Sequence, residues 1–206
     1  MIYIIITTCI ENKDGVKNKN HREKRYNECI SQLLYLINDI PDIKPIIVEN
    51  NSNRKTYLNN FNCEVCYTDN NKYSFPHKAI NELLDIKHII YNYQIKDDDY
   101  IIKLTGRYKL LNSNFIQLVK NNINNYDAFV KFFNVCTKEF MYNDCVLGLF
   151  GIKCKYLKAF NYDLIKSPEC EFADYIRKNI NENKLKEIDT LELECCFADD
   201  LRVLIV

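Results

Sequence analysis

Apolar and polar positions along the chain keep two rhythms, one of strands and one of helices. "IYIIITT" (2–8) is a short unbroken apolar run rich in β-branched residues, as a strand buried on both faces requires. Apolar positions then recur at helical spacing in "HREKRYNECISQLLYLI" (21–37), which puts Tyr26, Ile30, Leu33, Leu34 and Ile37 on one stripe. Pro41 and Pro45 punctuate a loop before a second strand, "PIIVEN" (45–50), and "CEVCYT" (63–68) predicts a third. A helix follows over about 78–91, with Ile80, Leu83, Leu84 and Ile90 inward, and then a fourth strand, "YIIKLTG" (100–106). Asn112 or Ser113 caps a helix carrying Phe115, Leu118 and Val119. "YDAFVKFF" (126–133) and "CVLGLFGI" (145–152) read as strands. "SPECEFADYIRKNI" (167–180) opens a helix with Ser at the cap and Pro at the first position. The closing "DDLRVLIV" is apolar enough to pack on the core.

Repeated strand–helix units without an internal repeat predict an α/β domain with a mixed, mainly parallel central sheet flanked by helices. The 206 residues suffice for one well-buried domain, and no linker divides them. Lys+Arg and Asp+Glu both number 28, so the clustered excess positive charge that a nucleic-acid partner demands is missing. No apolar run approaches the roughly 20 residues of a membrane span. The first strand lacks the basic leader of a signal peptide, so the expected location is cytoplasmic. The 10 cysteines then read as reduced, small apolar residues, and the lone CxxC, Cys63 and Cys66, as part of a strand.

Ligands of an open α/β sheet bind beyond the carboxyl ends of its strands, and polar residues gather there. Thr7 and Thr8 follow the first strand, ahead of a charged loop running to Arg22 and Arg25; Glu49 and Asn50 end the second. Thr105, Gly106, Arg107 and Tyr108 end the fourth. Gly106 is one of only 4 glycines; glycine permits positive φ or close backbone approach, so Thr-Gly-Arg can offer a backbone N–H, a hydroxyl and a guanidinium together. A strand-end turn with a surface Arg explains the same residues. In the stretch Asp97–Asp99, Asp97 and Asp99 could bind Mn²⁺ or Mg²⁺ through oxygen, but they precede the fourth strand and so fall at its amino end, where a solvated turn accounts for them better, and topology favours Thr-Gly-Arg as the group that faces a ligand. Glu169 and Glu171 suit either the dipole of the helix they open or a general base. His77 stands at the start of a helix whose N-terminus could hold an anion.

The order of "IIVENNS", "HKAINELL", "DDDYIIKLTGRY", "LFGIKCKYL" and "SPECEFADYI" resembles that of small GT-A-type nucleotide-sugar glycosyltransferases, of the sort found in large DNA viruses and bacterial surface-polysaccharide loci. The resemblance spans most of the chain and rests most specifically on "IIKLTGRY" and on Glu169, Phe172 and Ile176. It implies a GT-A-like (Rossmann-like) domain whose first half (about 1–110) binds the donor and whose second half (111–206) receives a glycan or glycoprotein acceptor. A viral member would work in the host cytoplasm. The resemblance implies Thr7, Thr8 and Glu49 near the base and ribose, and Lys78 and Asn81 near the donor, although His77 and Ala79 depart from the family motif. Thr105, Gly106 and Arg107 take the place of the metal-binding Asp-x-Asp. Metal dependence is left open between Mn²⁺ or Mg²⁺ and neutralisation of the diphosphate by Arg107, Lys103 and Arg22. The implied activity is an inverting hexosyl or deoxyhexosyl transfer with Glu169 as base. A sugar-phosphate nucleotidyltransferase and a binding module without turnover are the alternatives.

Overall fold

In the computed structural model, residues 1–13, 15–52, 54–132 and 143–206 are described. Its elements in chain order are β1 (Ile2–Thr8), α1 (Lys19–Ile37), β2 (Ile43–Glu49), β3 (Glu64–Tyr67), α2 (Lys78–Asn92), β4 (Tyr100–Thr105), β5 (Lys109–Leu110) and α3 (Asn114–Asn122). They continue with β6 (Ala128–Val130), β7 (Leu149–Lys153), α4 (Cys154–Ala159), α5 (Pro168–Asn179), β8 (Leu185–Glu187), β9 (Leu193–Cys196) and β10 (Val203–Ile205). Seven strands form the central sheet in the order β3-β2-β1-β4-β7-β6-β8, and β10-β9-β5 form a second, antiparallel sheet. β3, β2, β1 and β4 run parallel, whereas β7 enters antiparallel between β4 and β6. The sheet is thus mixed and mainly parallel, as the strand and helix rhythm predicts.

Burial on both faces explains the unbroken apolar runs. On one face Ile4, Ile6 and Ile102 pack with Tyr26, Leu33 and Phe115 from α1 and α3. On the other, Ile5, Val48 and Ile101 pack with Leu83 and Ile89 of α2 and Phe172 and Ile176 of α5. Each such side chain contributes on the order of 1.5–3 kcal/mol on burial. The register Thr7↔Val48 and Thr7↔Thr105 brings the carboxyl ends of β1, β2 and β4 to one edge.

Three sequence expectations need correction. On α2, Ile80 and Leu84 are only partly buried, while Asn81 and Asp85 share the inner face with Leu83, Ile86, Ile89 and Ile90, because polar groups from neighbouring loops meet them there. Val203, Leu204 and Ile205 do not pack on the core. They are exposed along β10, an outer strand of the small sheet, and only Val206 tucks in. The two expected later strands are shorter: β6 ends at Val130, β7 begins at Leu149, and Phe133 of the first lies outside the described residues. No helix among the described residues is long and apolar enough to cross a membrane. The described cysteines are free thiols, and burial pushes that of Cys63 up to about 11.

Candidate active site

Beyond the carboxyl edge of β1 and β4 lies a cleft of about 410 Å³, within the size range of small-molecule sites. Its walls are His77 at the cap of α2 with Lys78 and Glu82 on that helix, Lys103, Thr105, Arg107 and Tyr108 from β4 and its exit, Gly148 ahead of β7, Pro168 and Glu169 at the start of α5, and residues 197–199. A narrower recess continues from it toward β1 and β2, lined by Thr7, Thr8, Arg22, Asn50, Asn71 and Asn81. Lys78, Glu82, Arg107 and Ala198 belong to both spaces, so they mark the passage between them. Within the recess the Thr7 Oγ1 and Asn50 Oδ1 atoms are buried and have no hydrogen-bond partner among the described residues. Buried polar atoms are seldom left so, and two in one recess mark a place built to receive polar groups.

The recess walls are held rigidly. Asn50 is oriented by Asp85, whose carboxylate accepts from Asn50 Nδ2 (3.0 Å), Thr68 Oγ1 (2.6 Å) and Asn70 Nδ2 (2.7 Å). With its amide nitrogen committed to Asp85, Asn50 turns its oxygen away from that carboxylate. Burial raises Asp85 to about 7, and the three hydrogen bonds pull in the opposite sense. Asn81 donates to the carbonyls of Asn70 (2.7 Å) and Tyr73 (3.3 Å), fixing the loop ahead of α2. Glu49 is wholly buried; its carboxylate accepts from Thr8 Oγ1 (2.7 Å), from the Ile10 N–H (3.1 Å) and from Asn51. It braces the exits of β1 and β2 from inside. Arg22, at the back of the recess, donates to the Cys9 carbonyl (3.0 Å) and to the Tyr26 hydroxyl (3.4 Å).

At the end of β4 the need for glycine is steric. Gly106 has no positive φ, but an added Cβ would stand 2.9 Å from Thr8 Cγ2 and 3.1 Å from both the Thr7 carbonyl oxygen and Tyr26 Cε1. Its N–H donates to the Thr7 carbonyl (2.9 Å), so the expectation that it faces a ligand is corrected: it closes the sheet edge. Thr105 Oγ1 accepts from Lys103 Nζ (2.6 Å). Arg107 reaches the cleft and is steadied on every side. Its Nε donates to the Cys196 carbonyl (2.8 Å), its guanidinium lies 5.1 Å from the Tyr108 ring centroid, and its own carbonyl takes a hydrogen bond from Arg25 Nε (2.9 Å). Arg25 in turn pairs with Glu194 at 2.6 Å, so α1 and β9 clamp the turn.

The two α5 glutamates part company. Glu169 lines the cleft, and burial raises its carboxyl above the ordinary glutamate range, with Asp144 and Glu82 adding to the effect and His77 opposing it. Glu171 turns to the loop before the helix and accepts from the N–H groups of Asp163 (2.9 Å), Ile165 (2.6 Å) and Lys166 (3.0 Å). Those bonds hold it below the usual range against the opposing effect of burial.

Asp97 and Asp99 lie at the amino end of β4, on the far side of the sheet from the cleft. Asp97 pairs with Lys158 (2.6 Å), and Asp99 caps its own turn through the Lys96 N–H (3.1 Å). Among the described residues no group of three or more His, Cys, Asp or Glu side chains is placed to hold a metal ion. These aspartates therefore do not fit a metal serving the cleft. Glu82 and Asp85 are hidden from the sequence pattern, because the 3.6-residue stripe of α2 assigns both to solvent. Only the packing of α2 against polar strand ends reveals them.

The sequence matches no known family profile and no curated protein. Solved structures do match in fold. A candidate nucleotide-diphospho-sugar transferase from Desulfovibrio desulfuricans G20 superposes with a TM-score of 0.55 at 10% identity over 91% of this chain and 79% of that one. S. aureus TarS 1–349 gives 0.55 at 14% identity, covering 91% of this chain and 57% of that chain. The bifunctional IspDF of Campylobacter jejuni gives 0.54 at 11% identity, covering 99% and 52%. This chain thus spans little more than half the length of the last two. The fold is the mixed α/β, Rossmann-like sheet of nucleotide-diphospho-sugar transferases, the GT-A type. IspDF carries a similar fold, so the architecture by itself does not single out one activity among the proteins that share it.

Proposed function

We propose that this chain is a glycosyltransferase that moves a sugar from a nucleoside-diphosphate sugar to a hydroxyl of a glycan or glycoprotein acceptor, with inversion. The observation that carries the reading is the passage itself: Lys78 and Arg107 stand where the polar recess meets the cleft that contains Glu169. A nucleoside in the recess puts its diphosphate at those cations and its sugar beside Glu169. The acceptor oxygen attacks the anomeric carbon while the Glu169 carboxylate takes its proton. The bond from that carbon to the diphosphate oxygen breaks, and the diphosphate leaves with the electron pair. Arg107, Lys78 and the N-terminal end of α2 stabilise its charge, with Arg22 behind them. A carboxyl raised above its ordinary range by burial is a stronger base once ionised, which suits Glu169 to the role. Residues up to about 110 supply the donor side, and Gly148, Glu169 and Phe197–Asp199 supply the acceptor side.

The test is a thermal-shift screen of UDP-, GDP-, dTDP- and CMP-sugars with EDTA or Mn²⁺, followed by transfer assays on Glu169→Gln. Ligands that bind only the folded state raise Tm, so a selective donor shift is expected. Glu169→Gln should retain that shift and lose at least about 10²-fold in kcat; full transfer by this variant would move the base elsewhere.

The likeness to IspDF favours a second reading, a nucleotidyltransferase joining a sugar phosphate to a nucleotide. Such chemistry asks for a glycine-rich cradle after β1. Here that loop, Cys9–Asn18, contains a single glycine, Gly15, whose neighbourhood is filled by the Ala198 carbonyl. Release of pyrophosphate from a nucleoside triphosphate and a sugar phosphate would establish this second activity.

A further inference from the structure

Lys103 lies within β4 and is only 2% exposed, a costly place for an ammonium unless every donor is matched. Its Nζ stands 2.6 Å from Thr105 Oγ1, 2.8 Å from the Leu147 carbonyl oxygen and 2.6 Å from Glu82 Oε2. Three N–H groups meet three acceptors, which leaves the amine nothing to offer a diphosphate and corrects its expected role. What it does is hold Glu82. That carboxylate is a quarter exposed and belongs to the walls of both the recess and the cleft. Oε2 is pinned by Lys103, and Oε1 is the carboxylate's second acceptor.

We propose that Glu82 is the residue that reads the transferred sugar, its carboxylate accepting hydrogen bonds from hydroxyl groups of an uncharged hexose, with Lys103 as the positioning residue beneath it. The inference rests on the glycosyltransferase reading and makes it specific. A carboxylate only accepts, and its two oxygens suit the hydroxyl donors of a sugar ring. It repels phosphate, so beside Lys78 and Arg107 it must face the part of the donor that carries no charge. The same repulsion selects against a uronate at that position. Glu169 remains for the acceptor proton, so the two carboxylates divide recognition from base chemistry.

The experiment is calorimetric titration of wild type, Glu82→Gln and the double variant Glu82→Gln/Lys103→Met with UDP, GDP and dTDP, and with UDP-glucose, UDP-glucuronate, GDP-mannose and dTDP-rhamnose. The double variant removes both charges of the pair together and guards against misfolding from a stranded, buried ammonium. For the nucleotide that binds, the uncharged sugar donor should bind wild type about tenfold more tightly than its bare diphosphate, the effect expected of a hydrogen bond to a charged group. In both variants that increment should fall below about twofold, while the affinity for the bare diphosphate holds or rises as the repelling charge is lost. UDP-glucuronate should gain no increment over UDP. A sugar increment that survives in both variants overturns the role of Glu82 and leaves the glycosyltransferase reading standing. Retained increment with abolished transfer would make Glu82 the base instead, and also overturns it. Absence of binding by any diphosphate or donor overturns the glycosyltransferase reading and this inference with it.

Discussion

Asp85 gives the strongest quantitative expectation. Burial and three donated hydrogen bonds act on it in opposite senses, and burial prevails, taking the carboxyl from 3.8 to about 7. A folded-state value above the unfolded one means that the native protein binds the proton more tightly. The associated stability is complete below about pH 4 and is lost as pH rises toward 7. At 1.36 kcal/mol per unit the full loss is about 4 kcal/mol, of which about 2–3 kcal/mol falls between pH 5 and pH 8. The assay is urea unfolding of wild type and Asp85→Asn at several pH values across that interval. Other titrating groups, Glu169 among them, act on both proteins and cancel in the difference. Asn cannot satisfy the three donors around it, so the variant should be the weaker protein at pH 5, and the gap should narrow by about 2–3 kcal/mol by pH 8. Profiles that run parallel within about 0.5 kcal/mol would refute the reasoning. They would mean that the hydrogen bonds from Asn50, Thr68 and Asn70 outweigh burial and keep the carboxylate ionised in the fold.

Other expectations follow from particular contacts. Arg107→Ala should lower kcat/KM by about 10²-fold or more, read in a transfer assay with the donor that the thermal screen selects; near-wild-type transfer would remove the guanidinium from the mechanism. Gly106→Ala places a methyl group 2.9 Å from Thr8 Cγ2 and 3.1 Å from a backbone oxygen, and should destabilise by about 1–3 kcal/mol in denaturant titration, whereas a neutral result would mean that the β1 end yields freely. Glu171→Ala releases the N–H groups of Asp163, Ile165 and Lys166 and lets Leu164 leave its positive φ of 62°. A loss of about 1–3 kcal/mol with faster amide exchange confined to that loop is expected, and unchanged exchange there would show that other contacts hold it.

The elements that local periodicity can specify were legible in the chain. β1 and β4 announce themselves as unbroken apolar runs because both faces of the sheet are covered, and α5 does so through Ser167 and Pro168, whose cap and ring act within one helical turn. Strand direction alone located Thr7, Asn50 and Arg107 at one edge and the aspartates Asp97 and Asp99 at the other. The partners of each polar group were not legible, because they come from segments far apart in sequence. Glu49 and Lys103 looked like groups for a ligand, yet packing gives the first to Thr8, Ile10 and Asn51 and the second to Glu82 and the Leu147 carbonyl. Glu82 and Asp85 looked like solvent-facing helix positions, yet they meet polar strand and loop ends because α2 lies across the edge where those ends emerge. Short-range spacing determined which segments are strands and helices. Only the tertiary structure decided which charges neutralise one another inside the protein and which remain to face the cleft, since that depends on contacts that no local pattern encodes.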